Sequence, residues 1–227
     1  MSRVPVPRLY IVTDRQATAG RPLADVVRAA LAGARRGGLA PDQIAVQLRE
    51  KDLGGRALRD LAGALREITR AAGAALMIND RLDVALAVGA DGVHLGGGSL
   101  SPADARAIAP SLRVAISTHA PGDLHGLSAT VDFAVFGPVR DTPSKRAYGA
   151  PVGLAALAAA AASGVPLIGI GGLDAGDVET ISRAGARGLA CIRPVMSADN
   201  PEQAGFLLGQ ALADPRGGTA VTEPHRT

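Results

Sequence analysis

Aromatic residues and cysteines are scarce in this chain of 227 residues. Aromatic side chains make up 2% of the sequence and tryptophan is absent, which argues against a surface that binds nucleic acid by stacking on its bases. The single cysteine, Cys191, cannot form a disulfide within the chain, as is typical of proteins in a reducing compartment. No apolar signal region follows the short polar N-terminus and no apolar run is long enough to span a membrane, so we expect a cytoplasmic protein.

A block of charges of one sign is also missing. The 24 lysines and arginines are interspersed with 21 aspartates and glutamates along most of the chain, and the formal net charge is +3. This mixture argues against a nucleic-acid surface, which needs clustered cations. We therefore expect small molecules as partners, with neither nucleic acid nor membrane among them, while a homo-oligomer stays open.

Short apolar runs alternate with longer stretches rich in alanine, leucine and arginine. This alternation is typical of repeated βα units and a parallel sheet. Eight runs predict strands, at Leu9–Thr13, Ile44–Leu48, Ala75–Ile78, Gly92–Leu95, Val114–Ile116, Phe133–Phe136, Leu167–Ile170 and Gly188–Ile192. Eight strands in one chain of this length favour a single (βα)8 barrel, the TIM barrel, and an open doubly wound sheet is the alternative.

Helical patterns lie between the predicted strands. They cover Leu23–Arg36, Arg56–Ala72, Arg81–Val88, Pro102–Ile108, Leu154–Ala162, Ala175–Ala184 and Pro201–Leu212. The segment after the fifth strand has the weakest helical pattern. We expect the barrel domain over residues 1–213 and a disordered tail over residues 214–227, because this tail is rich in glycine, proline and polar residues and lacks apolar periodicity.

Polar residues directly after each strand are the candidates for function, because TIM barrels bind their ligands where the strands end. After the second strand, Gln47, Arg49 and Lys51 share one face, since side chains alternate along an extended chain. Two cations on one face suit an anion, with arginine as a forked donor and lysine as a point charge. A solvated strand end with salt bridges to nearby carboxylates is the alternative.

Further polar groups end the third and fifth strands. Asn79 can donate and accept hydrogen bonds, and Asp80 suits either the cap of the next helix or a hard cation. Ser117 ends the fifth strand, and His119 beyond it is either a general acid–base group or a structural histidine. His94 lies inside the fourth strand, where we expect a core residue or one that supports the site from behind.

Loops suited to phosphate follow the last three strands. Their candidate residues are Thr142, Ser144 and Lys145 after the sixth strand, Gly171 and Gly172 after the seventh, and Ile192 and Arg193 after the eighth. In many barrels the backbone N–H groups that follow the last two strands jointly bind a phosphate, because glycine lets the backbone approach the oxygens.

Taken together in this order, these segments resemble the thiamin phosphate synthase family and its close relative, the thiazole tautomerase. The resemblance runs from Leu9 to about Leu212. It rests on the set of motifs at Leu9–Asp14, Gln47–Lys51, Ile78–Arg81, Asp91–Gly96, Ser117–His119, Gly137–Val139, Thr142–Lys145 and Gly169–Gly172. It implies a TIM-barrel transferase that couples hydroxymethylpyrimidine pyrophosphate to thiazole phosphate and releases pyrophosphate, with Mg²⁺ as cofactor.

The resemblance also implies a role for each candidate residue. The pyrophosphate would contact Arg49, Lys51, Asn79, Ser117 and Lys145. Gln47 would orient the pyrimidine, and Asp80 would bind Mg²⁺. The thiazole phosphate would contact Thr142, Ser144, Gly172 and the backbone of Ile192 and Arg193, and Gly171 is a further candidate for substrate binding.

Two positions depart from the synthase pattern. Ser99 stands where synthases have a second aspartate for Mg²⁺, and Arg193 stands where a small serine is usual. The segment around Ser99 resembles the tautomerases, which isomerise a thiazole carboxylate phosphate using a histidine at the position of His119. The motifs at Asn79–Arg81 and Thr142–Lys145 favour the synthase interpretation. The tautomerase and a non-catalytic binder of phosphate esters are the alternatives.

Overall fold

The computed structural model describes residues 5–142 and 150–213, and within them eight parallel strands close into a barrel. Each strand pairs with its neighbours in chain order, and the last strand pairs with the first. The strands are β1 Leu9–Val12, β2 Ile44–Leu48, β3 Ala75–Asn79, β4 Gly92–Leu95, β5 Arg113–Thr118, β6 Phe133–Phe136, β7 Leu167–Ile170 and β8 Gly188–Cys191. The predicted TIM barrel is confirmed, and the open sheet was the wrong alternative.

Eight α-helices lie in the described ranges: α1 Leu23–Arg36, α2 Gly55–Ala72, α3 Leu82–Ala87, α4 Pro102–Ile108, α5 Gly153–Ala161, α6 Val178–Arg183, α7 Arg193–Met196 and α8 Pro201–Ala213. A 3₁₀ turn at Pro121–Leu124 follows β5, where the sequence pattern for a helix was weakest. The short helix α7 was not predicted. Among the helices described, none has both the length and the apolar character that crossing a bilayer requires. The tail after residue 213 lies outside the described residues.

Alternate residues of each strand face the inside of the barrel, as the two-residue period of an extended chain requires. One apolar cluster of buried side chains fills this interior: Tyr10, Val12, Ala45, Ala75, Met77, Ala115, Phe133, Val135, Ile168 and Ala190. Residues between them, such as Ile11 and Val46, pack in a second cluster with the helices. On β2, β3 and β5, the residue two positions beyond the last of these core residues is polar: Gln47, Asn79 and Ser117. The two-residue period therefore places these polar side chains on the inward face at the barrel mouth.

Helices α1 and α8 pack closely on each other, because glycines lie at their contact. A Cβ atom built on Gly33 of α1 would lie 1.9 Å from the carbonyl oxygen of Glu202. A Cβ atom on Gly209 of α8 would lie 2.2 Å from the carbonyl oxygen of Ala34. Both distances are far below van der Waals contact, so larger side chains there would push the two helices apart.

We predict that Gly33→Ala lowers the free energy of unfolding by about 1–3 kcal/mol, the usual effect of overpacking a tight contact. The matched control is Gly63→Ala in α2, where a Cβ atom would meet nothing within 4 Å. This control should raise stability by about 0.5–1 kcal/mol, because alanine restricts the unfolded chain and favours the helix. Urea unfolding followed by circular dichroism measures both, and equal stability of the two variants would contradict the prediction.

Candidate active site

Side chains at the ends of β2 and β3 form a chain of hydrogen bonds at the barrel mouth. Gln47 donates from Nε2 to Oδ1 of Asn79 over 2.9 Å, and Asn79 donates from Nδ2 to Oδ2 of Asp80 over 2.7 Å. Gln47 is 3% exposed, whereas Asn79 and Asp80 are half-buried. The structure therefore brings together the residues predicted to bind the pyrimidine, the pyrophosphate and the metal ion.

Asp80 has a backbone conformation that non-glycine residues seldom adopt, with φ at +59°. Such strain is found mainly where function requires it, and aspartate tolerates this conformation better than most residues. Helix α3 begins at Leu82, its N-cap residue is Arg81, and no side chain caps it. The capping alternative for Asp80 was therefore wrong, and its carboxylate is directed to the mouth by a different set of bonds.

Ser99 lies against Asp80, on the loop that follows β4. The Ser99 hydroxyl donates to Oδ1 of Asp80, and the Gly96 amide donates to the same oxygen over 3.2 Å. The Gly96 amide also lies 2.6 Å from Oγ of Ser99. The residue at the position of the expected second carboxylate is therefore a hydrogen-bond donor to the first one.

A buried network ties the end of β1 to the segment that carries Arg49 and Lys51. The Arg49 amide donates to Oγ1 of Thr13 over 2.9 Å, and the Thr13 hydroxyl donates to Glu50 over 2.7 Å. The Arg15 amide donates to both carboxylate oxygens of Glu50, at 3.1 and 3.2 Å. Burial raises the pKa of Glu50, although the bonds from Thr13 and Arg15 oppose this shift. Neither Thr13 nor Glu50 was predicted from the sequence to support the site.

A pocket of about 270 Å³ opens between the ends of β2 and β3. Its polar lining consists of Glu50, Lys51, Asn79, Asp80 and Arg81, and its apolar lining of Leu48, Leu53 and Leu58. The guanidinium of Arg81 lies 2.6 Å from the carboxylate of Asp83 on the outer side. The exposed ammonium of Lys51 thus shares one pocket with the amide and the carboxylate that sequence analysis selected.

Two buried side chains, Tyr10 and His94, form a hydrogen-bonded chain that leads from the core to Ser117. Nε2 of His94 lies 2.8 Å from Oγ of Ser117, and Nδ1 of His94 lies 3.0 Å from the Tyr10 hydroxyl. Burial lowers the pKa of His94 to about 4, so its ring is neutral near pH 7. The expected placement of His94 in the core is confirmed, and Ser117 itself is exposed at the mouth.

His119 is exposed just beyond the end of β5. Its Nδ1 atom contacts the carbonyl oxygen of Gly137, and its backbone amide donates to Asp123 over 3.1 Å. Backbone donors from Ala120 and His119 lower the pKa of Asp123. The ring contact is the loop contact that a structural histidine would make. The acid–base role of His119 stays a prediction. Because Nδ1 contacts the Gly137 carbonyl oxygen, Nε2 is the ring nitrogen that would transfer the proton.

The loops after β6 and β7 pack tightly on each other. Gly171 and Gly172 have φ values of +100° and +63°, and a Cβ atom on Gly171 would lie 2.5 Å from Cα of Pro138. The Val139 amide donates to the Ile170 carbonyl over 2.8 Å, and the Arg140 amide donates to the Gly171 carbonyl over 3.0 Å. The segment after β6 therefore runs along the β7 loop as far as Thr142. Ser144 and Lys145 lie outside the described residues.

After β8 the chain turns at Ile192 directly into α7, which begins at Arg193. The side chain of Arg193 is exposed and that of Ile192 is half-buried. A short helix after the eighth strand is a frequent part of the phosphate site in TIM barrels. The predicted position of Ile192 and Arg193 at the mouth is therefore compatible with the observed path of the chain.

Comparison with known proteins identifies the family. The family described as thiamine monophosphate synthase matches residues 9–195, from β1 into α7. The chain belongs to the thiamine monophosphate synthase family. A putative thiamine-phosphate synthase of Geobacter sulfurreducens is 45% identical over 215 residues, which cover 92% of this chain and 95% of that protein. The thiamine-phosphate synthase of Azorhizobium caulinodans is 41% identical over 214 residues, which cover 92% of this chain and 96% of that protein.

Solved structures agree with this assignment. A thiamine phosphate pyrophosphorylase from Pyrococcus furiosus has a TM-score of 0.77 and 30% identity, covering 88% of this chain and 93% of that one. A 3-hexulose-6-phosphate synthase, at 16% identity and a TM-score of 0.59, shares the fold alone. The membership in the thiamine monophosphate synthase family that the motifs indicated is confirmed.

Proposed function

We propose that this chain is a thiamine-phosphate synthase that couples hydroxymethylpyrimidine pyrophosphate to thiazole phosphate, giving thiamin phosphate and pyrophosphate. The observation that carries the proposal is the pocket of about 270 Å³ that is lined by Lys51, Asn79 and Asp80 together. A cation, an amide donor and an oxygen ligand for a hard cation suit a departing pyrophosphate. The names of the relatives also support a synthase.

In the proposed reaction, the bond between the pyrimidine methylene carbon and a pyrophosphate oxygen breaks, and the oxygen keeps the electron pair. The thiazole nitrogen then forms its bond to the carbocation-like pyrimidine carbon. A loose transition state of this kind needs donors and positive charge on the leaving group more than a strong base. We assign that task to Arg49, Lys51, Asn79, Ser117 and Lys145, of which Lys145 lies outside the described residues.

The bond chain at the end of β2 suits the pyrimidine. Because Gln47 donates one amide hydrogen to Asn79, its carbonyl oxygen and second amide hydrogen stay fixed in orientation for a ring with donors and acceptors. The thiazole phosphate is assigned to the opposite loops, at Thr142, Ser144, Gly171, Gly172, Ile192 and Arg193. Support comes from the positive φ values of the two glycines, which free their backbone to approach phosphate oxygens.

Asp80 is the residue that would hold Mg²⁺. No group of three or more histidine, cysteine, aspartate and glutamate side chains suited to a metal occurs in the described ranges. One carboxylate still fits Mg²⁺, because this ion keeps several waters and binds through one or two carboxylates plus substrate phosphates. Bound there, Mg²⁺ would neutralise charge on the pyrophosphate oxygens, while Lys51 supplies a further positive charge from the same pocket.

The function is tested by incubating the purified protein with both precursors, with and without Mg²⁺. We expect thiamin phosphate and an equal amount of pyrophosphate in the presence of Mg²⁺, and neither after chelation. Isomerisation of the thiazole carboxylate phosphate without these products, abolished in His119→Ala, would instead identify a tautomerase. Binding of phosphate esters without any turnover would identify a non-catalytic binder.

Lys51→Ala should lower kcat/KM for coupling by about 10- to 100-fold, the effect of losing one hydrogen bond to a charged group. The melting temperature should stay unchanged because Lys51 is exposed. The matched control is Arg70→Ala at the far end of α2, which likewise removes one exposed positive charge and leaves the pocket unchanged. Arg70 forms an exposed ion pair with Glu67, and such pairs contribute little to stability. Steady-state kinetics and thermal unfolding measure both variants. Full activity of Lys51→Ala, or loss of stability alone, would contradict its role.

Ser99→Asp should lower the Mg²⁺ concentration needed for half-maximal pyrophosphate binding, by about tenfold, because a second carboxylate would face the ion. Ser99→Asn is the control, since it has the size of aspartate without its charge. Calorimetric titration of Mg²⁺ in the presence of pyrophosphate measures the change directly. Equal Mg²⁺ concentrations for half-maximal binding in the two variants would contradict the assignment of Asp80 as a ligand of Mg²⁺.

A further inference from the structure

A chain of three polar side chains crosses the barrel from its core to its mouth. Tyr10 on β1 is 0% exposed, His94 on β4 is 2% exposed, and Ser117 on β5 is exposed at the mouth. The Tyr10 hydroxyl lies 3.0 Å from Nδ1 of His94, and Nε2 of His94 lies 2.8 Å from Oγ of Ser117. The proposed reaction uses Ser117 but leaves Tyr10 and His94 without a task.

The chemistry of the buried members fixes the direction of these bonds. Nδ1 of His94 is the hydrogen-bond partner of the Tyr10 hydroxyl within the described part of the chain, and a buried hydroxyl needs an acceptor for its proton. Burial also raises the pKa of Tyr10, which keeps that proton on the oxygen. When Nδ1 accepts, the ring proton of a neutral histidine lies on Nε2. His94 therefore donates to Ser117.

The direction of the bonds decides what Ser117 can offer to a ligand. A serine hydroxyl can donate or accept, so an unsupported serine has no fixed polarity toward an anion. Because Oγ of Ser117 accepts from His94, its own proton remains free to be donated at the mouth. We infer that Tyr10 and His94 are positioning residues that hold the Ser117 hydroxyl as a donor to the leaving pyrophosphate, a role that rests on the proposed function.

Ring packing keeps the chain in this arrangement. The rings of Tyr10 and His94 stack with their centroids 5.7 Å apart and an interplanar angle of 30°. Phe133 packs edge-on against Tyr10, with centroids 5.5 Å apart. Phe133 packs on Tyr10, whereas the imidazole of His94 is oriented toward Ser117 by its stack on Tyr10 and by the hydrogen bonds at its two ring nitrogens. Successive hydrogen bonds of this kind also polarise and strengthen one another.

The bond directions are tested first, in the ligand-free protein, by NMR of ¹⁵N-labelled histidine. We expect His94 to be neutral at pH 7 with its proton on Nε2. A proton on Nδ1 would overturn the inference, whatever reaction the protein catalyses.

The effect of Tyr10 and His94 on pyrophosphate binding is tested by a double-mutant cycle with Tyr10→Phe and Ser117→Ala. The quantity measured is the affinity for inorganic pyrophosphate in the presence of Mg²⁺. Tyr10→Phe should weaken binding by about two- to tenfold in the wild-type background, because it removes the bond that selects the Nε2–H tautomer. It should cause no further loss in the Ser117→Ala background. Equal losses in both backgrounds would show that Tyr10 acts through the fold, and would overturn the inference.

Phe133→Leu is the matched control. It disturbs the same ring cluster without touching a polar atom, so it should lower stability while leaving both the His94 tautomer and the pyrophosphate affinity unchanged. Weakening of binding by Phe133→Leu to the same extent as by Tyr10→Phe would overturn the inference. Unchanged affinity of Ser117→Ala would instead refute the contact between Ser117 and pyrophosphate on which the proposed function relies, while the NMR result on bond directions would stand.

Discussion

The two-residue period of the β-strands is the constraint on which the candidate site depends. Because the barrel is closed, each strand has one face toward the helices and one toward the interior. The inward row of β2 passes from buried Ala45 through Gln47 to half-buried Arg49 without changing face. A register shift of one residue would turn Arg49 toward the apolar helix layer. The register that packs the apolar side chains in the core therefore also determines the direction of the charged side chains at the mouth.

Hydrogen bonds between the ends of adjacent strands fix the orientation of the side chains that the strand register places at the mouth. The Thr13 hydroxyl joins the ends of β1 and β2, and the amides of Gln47 and Asn79 join β2 to β3. His94 and Ser117 join β4 to β5 in the same way. Each bond links strands that are neighbours in the barrel, so the parallel pairing of the strands brings the two partners together. Groups held from behind in this manner keep their remaining donors for a ligand, which is how rigid sites are built.

Features that repeat along the chain could be predicted from the sequence. Every predicted strand lies within two residues of its observed bounds, and α1 and α4 match their predicted ranges. Features that depend on contacts across the barrel could not. Thr13 and Glu50 are 37 residues apart, and Tyr10 and His94 are 84 residues apart, so no local pattern pairs them. The left-handed backbone of Asp80 was not predicted either, because aspartate tolerates this conformation but seldom adopts it.

Ser99 changes the balance of charge around Asp80 and, with it, what the proposed metal site needs. Two carboxylates facing each other repel unless a cation lies between them. Here the Asp80 carboxylate instead receives hydrogen bonds from Asn79, Gly96 and Ser99. A single carboxylate leaves most Mg²⁺ ligands to water and phosphate, so the proposed ion binding depends on the pyrophosphate and should be strongly coupled to it.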